Sequence, residues 1–258
     1  MNTIQADLRK QHEIAHGKFL APRAVEIWGW GTPAGAERAK RRTQLIIDYA
    51  GIRSGKRVLE FGCGTGMFSK EFAMTGATVF GLDLSPDLIS EADKQARVQE
   101  DHGFRSRLTF SVGDIECLEF PSEHFDAVVG SSVLHHVDYQ RALREAFRVL
   151  RPGGRVAFAE PNMLNPQIAL QKNIPAIKRR LGDSPDETAF FKWSIGRTLL
   201  ETGFIDVVVI PHDFLHPAIS PSFIPIVKKL GSVLEAIPFV REIAGSLLLA
   251  GSKPALTL

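Results

Sequence analysis

Three glycines at alternating positions separate a strand-like segment from a helix-like segment, and this arrangement limits what the chain can fold into. Residues 57–61 form a short apolar run typical of a buried strand, and helical spacing resumes over residues 67–73. Between them lie Gly62, Gly64 and Gly66. A strand that breaks into glycines and re-forms as a helix brings backbone N–H groups close to a ligand at the helix N-terminus. The sequence therefore predicts a ligand site on this loop, as in several nucleotide-binding folds.

The spacing of the glycines and the residue before them indicate which ligand the loop suits. The dinucleotide fingerprint G-x-G-x-x-G requires a third glycine at position 67, but that residue is Met67 and the third glycine is Gly66. Glu60 stands at the end of the strand, where the pyrophosphate of a dinucleotide would lie, and its carboxylate would repel that group. A ligand that carries a positive charge suits the loop better.

The segment E-F-G-C-G-T-G at residues 60–66 resembles the first motif of the class I, Rossmann-like, S-adenosylmethionine-dependent methyltransferases. S-adenosylmethionine carries an ammonium and a sulfonium group and no phosphate. The segment V-L-R-P-G-G-R-V at residues 149–156 also matches the family. The resemblance is close over residues 55–160 and weaker over 190–210 and 245–252. It implies a methyltransferase of the small-molecule type with S-adenosylmethionine as its cofactor.

The periodicity of the chain predicts an α/β fold: a doubly wound, seven-stranded, mostly parallel sheet with an N-terminal helical arm and helical cap insertions. The predicted strands are 57–61, 78–82, 108–112, 125–130, 155–160, 206–210 and 246–250. The predicted helices are 36–50, 67–73, 86–96, 139–150 and 194–202, with short helices before residue 36. The resemblance implies that the last strand runs antiparallel between the fifth and the sixth.

Length and composition favour one domain, because 258 residues with 44% hydrophobic content can bury one substantial core. Within that domain we expect an N-terminal arm or flap at 1–50, a cofactor-binding core at 55–160, and substrate-cap insertions at 161–189 and 211–244. Both insertions leave the carboxyl ends of strands, where ligands bind in such sheets.

The charge distribution argues against a nucleic-acid partner, because the net charge is only +2 and charges of both signs are interspersed. The nearest approach to a basic patch, Arg38, Lys40, Arg41 and Arg42, is interpreted as a solvated helix surface. The N-terminus does not resemble a signal peptide, and no apolar run reaches the ~20 residues of a spanning helix. We therefore expect a cytoplasmic protein. Neither Cys63 nor Cys117 belongs to a CxxC motif, and no metal-ligand cluster is visible, so no metal is expected.

Two aspartates follow strands on either side of the predicted ligand. Asp83 lies 21 residues after Gly62, at the end of the second strand, where a carboxylate can accept hydrogen bonds from both ribose hydroxyls. Ser85 fills the adjacent N-cap, so Asp83 is not needed there. Asp114 follows the third strand, where it can accept from the adenine amino group while Ile115 contacts the ring. The resemblance places the residues after the fourth strand beside the methionine half. The predicted cofactor contacts are Glu60, Gly62, Cys63, Gly64, Gly66, Asp83, Leu84, Asp114, Ile115 and Ser131.

Methyl transfer requires the acceptor atom to be held in line with the methyl group and, where it carries a proton, a base. The family's N-P-P-Y type of motif for amino-group acceptors is absent after the fourth strand, where Ser131-Ser-Val-Leu stands instead, so oxygen or carbon is favoured. His135, His136 and Glu160 are the candidate catalytic residues. Leu-His-His is common in the family, so a structural role for one histidine stays open, as does catalysis without a base. Further candidate bases are His212, Asp213 and His216.

Two further segments have more than one interpretation. Trp28 and Trp30 either attach the N-terminal arm to the core or cover the ligand. The apolar face of residues 223–237 is a lid packed on the core, a wall of a pocket for an apolar substrate, or a surface that contacts a membrane. The last two interpretations suit a lipid-like or prenylated small-molecule acceptor. The alternative functions are a nicotinamide-dependent oxidoreductase on a similar sheet and a non-catalytic, membrane-associated protein that keeps the cofactor fold.

Overall fold

The computed structural model describes residues 3–98, 102–181, 184 and 187–255. The strands are β1 Arg57–Phe61, β2 Thr78–Asp83, β3 Leu108–Val112, β4 Phe125–Ser131, β5 Leu150–Pro161, β6 Ile205–His212 and β7 Ser246–Ser252. The helices are α1 Thr3–Leu20, α2 Ala24–Ile27, α3 Pro33–Ala50, α4 Met67–Met74, α5 Pro86–Arg97, α6 His102–Arg105, α7 Tyr139–Val149, α8 Pro166–Asn173, α9 Pro175–Arg180, α10 Lys192–Thr202, α11 Ile224–Ala236 and α12 Pro238–Arg241. Short 3-10 turns occur at Ala21–Arg23, Leu134–His136 and Pro221–Phe223.

The seven strands form one sheet in the order β3-β2-β1-β4-β5-β7-β6. β1 to β5 pair with one another in parallel, and β7 runs antiparallel to both of its neighbours, β5 and β6. This confirms the predicted α/β class and the placement of the last strand. In the register, Phe61 lies opposite Leu82 on one side and Gly130 on the other. The carboxyl ends of β1, β2 and β4 therefore meet at one edge.

The core lies on both faces of the sheet, because the side chains of β1 alternate between them. Leu59 and Phe61 join one apolar cluster, while Val58 joins the other. Phe125 and Phe158 are fully buried in the first cluster. Burial of each such ring stabilises the fold by roughly 1.5–3 kcal/mol. The two clusters fix the central strands and hence the loops at their carboxyl ends.

The N-terminus differs from the prediction of short helices. α1 is one helix of 18 residues. Gly17 lets it pass close to α5, because a Cβ there would collide with Ser85. Ion pairs to the loop after β3 also hold α1 in place: Arg9 pairs with Glu116 and Lys10 with Asp114. These tertiary contacts stabilise a helix whose weak apolar periodicity gave little sign of its length.

The apolar face of α11 is exposed rather than packed as a lid. Ile226 and Leu230 are 57% and 56% exposed, whereas Ile224 and Gly231 are buried. Phe239 on α12 is 91% exposed. Within the described parts of the chain, no helix combines the length and apolar character that crossing a membrane requires.

Candidate active site

The glycine loop turns sharply between β1 and α4. Gly62, Gly64 and Gly66 have φ values of 61°, 54° and 77°, in the left-handed region that favours glycine. Side chains also approach the loop closely, because a Cβ on Gly62 would collide with Val133 and one on Gly64 would lie 2.9 Å from the indole of Trp28. The loop is therefore held by backbone geometry and by packing.

Asp83 links the end of β2 to this loop. Its Oδ2 accepts a hydrogen bond from the Gly64 N–H at 3.0 Å, and its Oδ1 accepts one from the Ser85 N–H at 2.9 Å. Burial raises the pKa of the Asp83 carboxyl, and the two backbone donors only partly offset this. Each oxygen keeps acceptor capacity for a further donor. Ser85 is the N-cap of α5, where its hydroxyl accepts from the Leu88 N–H.

Asp114 and Ile115 lie in the loop after β3, at the same edge of the sheet as the glycine loop. Asp114 Oδ1 accepts a hydrogen bond from the Glu116 N–H at 2.8 Å, and Oδ2 lies 2.6 Å from the Lys10 Nζ. Lys10 therefore occupies an acceptor oxygen that was predicted to receive the adenine amino group. Ile115 is 6% exposed and offers an apolar surface to the cavity.

Two residues predicted to contact the cofactor do not line the cavity. The carboxyl of Glu60 is fully buried beneath the loop and accepts a hydrogen bond from the Ser69 hydroxyl. Burial raises its pKa to about 8. Gly66 is the N-cap of α4, and a Cβ there would point at Phe110 and Ala92. Both predictions are therefore corrected: Glu60 and Gly66 shape the loop from behind.

Arg42 lies in the basic stretch that was expected to be a solvated helix surface, and the structure corrects this expectation. Lys40 and Arg41 are exposed, but the Arg42 side chain points inward from α3 and is 5% exposed. Its guanidinium donates to the hydroxyls of Ser131 and Ser132. It donates to the Ser246 hydroxyl as well. Burial lowers its pKa to about 10.

One cavity of about 530 Å³ brings most of the predicted site residues together. Of the predicted residues, its wall includes Gly62, Cys63, Gly64, Asp83, Leu84, Asp114, Ile115, Ser131, His135 and His136. Arg42, Trp28 and Trp30 also line it. Cys63 is buried there, and this burial raises the pKa of its thiol.

His135 and Glu160 form a buried pair at the far end of the cavity. His135 Nδ1 donates to Glu160 Oε2 at 2.6 Å, and Glu160 Oε1 accepts from the N–H groups of Val133 and Leu134 at 2.9 Å each. Despite complete burial, these donors lower the pKa of Glu160. Glu160 does not line the cavity, so its prediction as a catalytic base is corrected: it orients His135 and the 3-10 turn.

His136 faces the N-terminal helix. Its Nδ1 lies 3.1 Å from Glu13 Oε2, and its Nε2 lies 4.0 Å from Glu187 Oε1. Burial would lower the pKa of His136, but the carboxylates of Glu13 and Glu187 outweigh it and raise the pKa to about 9. A histidine that holds its proton in this way is a poor general base at neutral pH.

Comparison with known proteins identifies the central part of the chain. Residues 59–158 match the family described as a methyltransferase domain. Over these residues the chain is similar to a methyltransferase domain, and its Rossmann-like sheet agrees with the resemblance of the glycine loop to the class I methyltransferases. Its cofactor is S-adenosylmethionine, as the resemblance of the glycine loop implies.

Several curated proteins are similar to this methyltransferase domain. Methyltransferase GfsG of Streptomyces halstedii is 34% identical over 127 residues, which are 48% of this chain and 45% of that protein. Ubiquinone biosynthesis O-methyltransferase of Coxiella burnetii is 31% identical over 52% of this chain and 57% of its own length. Demethylmenaquinone methyltransferase of Renibacterium salmoninarum is 30% identical over 61% of this chain and 66% of its own length. The chain spans about half the length of the first of these relatives, and somewhat more of the others.

Solved structures share the fold over nearly the whole chain. The [4+2]-cyclase SpnF has a TM-score of 0.68 at 20% identity and covers 96% of this chain and 97% of its own. Phosphoethanolamine N-methyltransferase 2 of Haemonchus contortus was solved with S-adenosylhomocysteine. It has a TM-score of 0.62 at 20% identity, and the match covers 90% of this chain and 57% of that one. At these identities the likeness establishes the fold alone.

The remaining candidate bases, His212, Asp213 and His216, lie at the end of β6 and in the segment that follows it. Asp213 Oδ2 accepts from Arg38 at 2.7 Å and both residues line the cavity. His216 also lines it and is 2.9 Å from the Gln167 side chain. His212 is buried but does not line the cavity, and burial lowers its pKa to about 4.

The two N-terminal tryptophans pack on the core and line the cavity. Trp28 packs on Gly64 and Trp30 packs edge-on against Phe68, so both attach the arm to the core. Both also line the cavity, and the Arg42 guanidinium lies 5.2 Å from the Trp30 ring centre.

Glu187 and Lys172 complete the far end of the cavity and were not found from the sequence. They come from the cap segment and α8, and their side chains form a buried ion pair. The structure thus brings His135, His136 and Glu187 close together, in a grouping that was not visible in the sequence. No local spacing could have revealed it, because Glu187 lies far from the histidines in sequence.

Proposed function

We propose that this protein transfers a methyl group from S-adenosylmethionine to a small, partly apolar acceptor, at oxygen or carbon. The observation that carries the proposal is that one cavity joins the cofactor loop to a polar far end. Gly64 and Asp83 wall one part of it, and His135 and Glu187 wall another. A cofactor seated on the loop and an acceptor at the far end would therefore share one enclosed space, as in-line displacement requires.

The charges along the cavity suit the two ends of the amino-acid half of the cofactor. Asp83 is a partly buried carboxyl whose pKa is raised by burial, so the positive charge of the sulfonium would stabilise its ionised form. Arg42 is a buried cation that donates to three serine hydroxyls. We assign the cofactor carboxylate to Arg42, because ionic acceptors form the stronger hydrogen bonds.

The acceptor is the part of the proposal that rests on relatives. Two of them are named for ubiquinone biosynthesis and for demethylmenaquinone, which supports a quinone-like ring. The cap insertions at 161–189 and 211–244 would enclose this acceptor, while the arm at 1–50 covers the cofactor. In the first cap, residues 182, 183, 185 and 186 lie outside the described residues.

We also propose that the exposed apolar face of α11 and α12 contacts an anionic lipid surface. Ile226, Leu230 and Phe239 project from it, and Lys228 and Lys229 flank them. Apolar side chains bordered by lysines suit the interface of an anionic bilayer. Wild type should sediment with vesicles of phosphatidylglycerol, whereas the Ile226→Glu, Leu230→Glu double variant should not. Failure of wild type to sediment would remove this contact without affecting the methyltransferase assignment.

The match of residues 59–158 to a methyltransferase domain argues against the alternative function as a nicotinamide-dependent oxidoreductase. The cytoplasmic location stays a prediction. The likeness to a [4+2]-cyclase makes a second activity on this fold testable.

The test combines binding with product formation. Calorimetry should show micromolar binding of S-adenosylmethionine and S-adenosylhomocysteine, and incubation with demethylated quinones should release S-adenosylhomocysteine. Absence of cofactor binding would contradict the proposal. Tight cofactor binding without methyl release from any acceptor in a quinone and polyphenol panel would favour a non-methylating activity instead.

A further inference from the structure

Two histidine nitrogens converge on one carboxylate at the far end of the cavity. His135 Nε2 lies 3.3 Å from Glu187 Oε1, and His136 Nε2 lies 4.0 Å from the same oxygen. One potential ligand atom from each of these three residues lies within 4.8 Å of those from the other two. Two ligands bonded to a tetrahedral ion at about 2.0–2.1 Å are about 3.4 Å apart. The separations between ligand atoms therefore need to shorten by up to about 1.4 Å for the cluster to surround an ion.

The opposite nitrogens of both rings face carboxylates. Glu160 Oε2 lies 2.6 Å from His135 Nδ1, and Glu13 Oε2 lies 3.1 Å from His136 Nδ1. Metal-ligating histidines characteristically donate their second N–H to a carboxylate, which fixes the tautomer and directs the other nitrogen at the ion. Both rings have this arrangement, and both direct Nε2 toward Glu187.

The backbone holds Glu187 against the histidine turn. The Thr188 N–H donates to the His135 carbonyl at 3.3 Å, and the Phe190 N–H donates to the Pro161 carbonyl at 3.1 Å. The Ser184 N–H donates to Glu187 Oε2 at 2.9 Å, which leaves Oε1 directed at the histidines. The third ligand is thus positioned by contacts on both sides of it.

The cluster already contains positive charge that an entering ion would replace. Glu13, Glu160 and Glu187 bring three carboxylates to the two rings, and these are balanced by the Lys172 ammonium on Glu187 Oε1, the Lys178 ammonium on the Glu187 carbonyl and the proton that His136 holds. Buried carboxylates require such compensation, which a metal ion can supply in place of a proton and an ammonium. Lys172 binds the same Oε1 atom that would coordinate an ion, so its ammonium competes with an ion for Glu187.

We propose that His135, His136 and Glu187 form a binding site for a divalent first-row transition-metal ion. Two histidines and one carboxylate are a donor set used for Zn²⁺ and for non-haem Fe²⁺. All three residues line the cavity, so the remaining coordination positions face the space assigned to the acceptor. The site is independent of the proposed methyl transfer, because its occupancy is defined by metal binding alone.

The experiment uses Co²⁺ as a spectroscopic probe of the full-length protein after removal of metals with a chelator. Wild type should bind one equivalent, with visible d–d absorption, and Zn²⁺ should displace it. Glu187→Gln and His136→Gln should each weaken binding by tenfold or more. His124→Gln is the matched control, since His124 lies beside Arg57 at the opposite edge of the sheet and should change nothing.

Lys172→Gln provides the decisive comparison. Removal of the competing ammonium should tighten Co²⁺ binding by at least tenfold if the ion coordinates Glu187 Oε1. Absence of stoichiometric binding in both wild type and Lys172→Gln would overturn the proposal. So would binding that Glu187→Gln and His136→Gln leave unchanged. Calorimetry with S-adenosylmethionine on the metal-free protein reports the cofactor site separately, so failure of either assignment is distinguishable from failure of the other.

Discussion

The side chain of Asp83 and the backbone of Gly64 are joined by a hydrogen bond of 3.0 Å that ties β2 to the glycine loop. A charge-assisted bond of this kind stabilises its conformation by roughly 1.5–3 kcal/mol. The same carboxylate lines the cavity, so one residue both shapes the loop and offers an acceptor to a ligand.

Replacement of Asp83 tests that double role. Asp83→Ala should weaken binding of S-adenosylmethionine by at least tenfold, because both the loop and the ribose acceptor are affected. Calorimetry measures the affinity and circular dichroism checks that the variant is folded. Asp87→Ala, on the exposed first turn of α5, is the control and should bind normally. Unchanged affinity in Asp83→Ala would remove the ribose assignment.

Replacement of Arg42 tests whether its guanidinium binds the carboxylate of the cofactor. Wild type should bind S-adenosylmethionine at least tenfold more tightly than its decarboxylated form, and Arg42→Met should lose this preference. The neighbouring Arg41 pairs with Glu235 at the surface, so Arg41→Gln should keep it. A preference retained by Arg42→Met would place the carboxylate elsewhere.

Lys10 should compete with the cofactor for Asp114. A partly exposed ion pair is worth up to about 1 kcal/mol, which corresponds to about fivefold in affinity. Lys10→Gln should therefore tighten binding of S-adenosylmethionine by up to about fivefold in calorimetric titrations. Lys18→Gln, on an exposed position of the same helix, should have no effect. Weaker binding in Lys10→Gln would mean that Lys10 holds the cofactor rather than competing with it.

His212 should make the fold sensitive to mild acid. Burial, aided by the charge of Arg42, lowers its pKa to about 4, below the ordinary value of 6.5. The unfolded state then binds more protons, so stability falls as the pH drops from about 6.5 toward 4. The loss from this residue at pH 5 is about 2 kcal/mol. Urea unfolding at pH 7.5 and pH 5 should show a smaller loss for His212→Gln than for wild type, and equal losses would contradict the assignment.

Local patterns were sufficient for the sheet and for most of the cofactor edge. β1 and β3 have the predicted bounds, because apolar runs between turn residues depend little on distant contacts. The glycines likewise predicted the break between β1 and α4, which the structure has at residues 62–66. These features arise from residues that are neighbours in sequence.

Features that depend on tertiary packing were not predictable in this way. Arg42 is buried because α3 packs with that face toward the sheet, and its periodicity alone did not identify the inward face. Glu187 reaches His135 because Phe190 forms a bridge with Asn162 at the end of β5. The Glu60 carboxyl is turned away from the cavity because it accepts a hydrogen bond from the Ser69 hydroxyl on α4.

The contact between Trp28 and Gly64 gives the protein an internal optical reporter. The indole packs directly against the backbone of the loop, so a molecule that settles there changes the surroundings of the ring and hence its emission. The chain has only three tryptophans, so a Trp28→Phe variant shows how much of the fluorescence change comes from Trp28. The rates at which ligands enter and leave can then be followed in stopped flow with unlabelled protein.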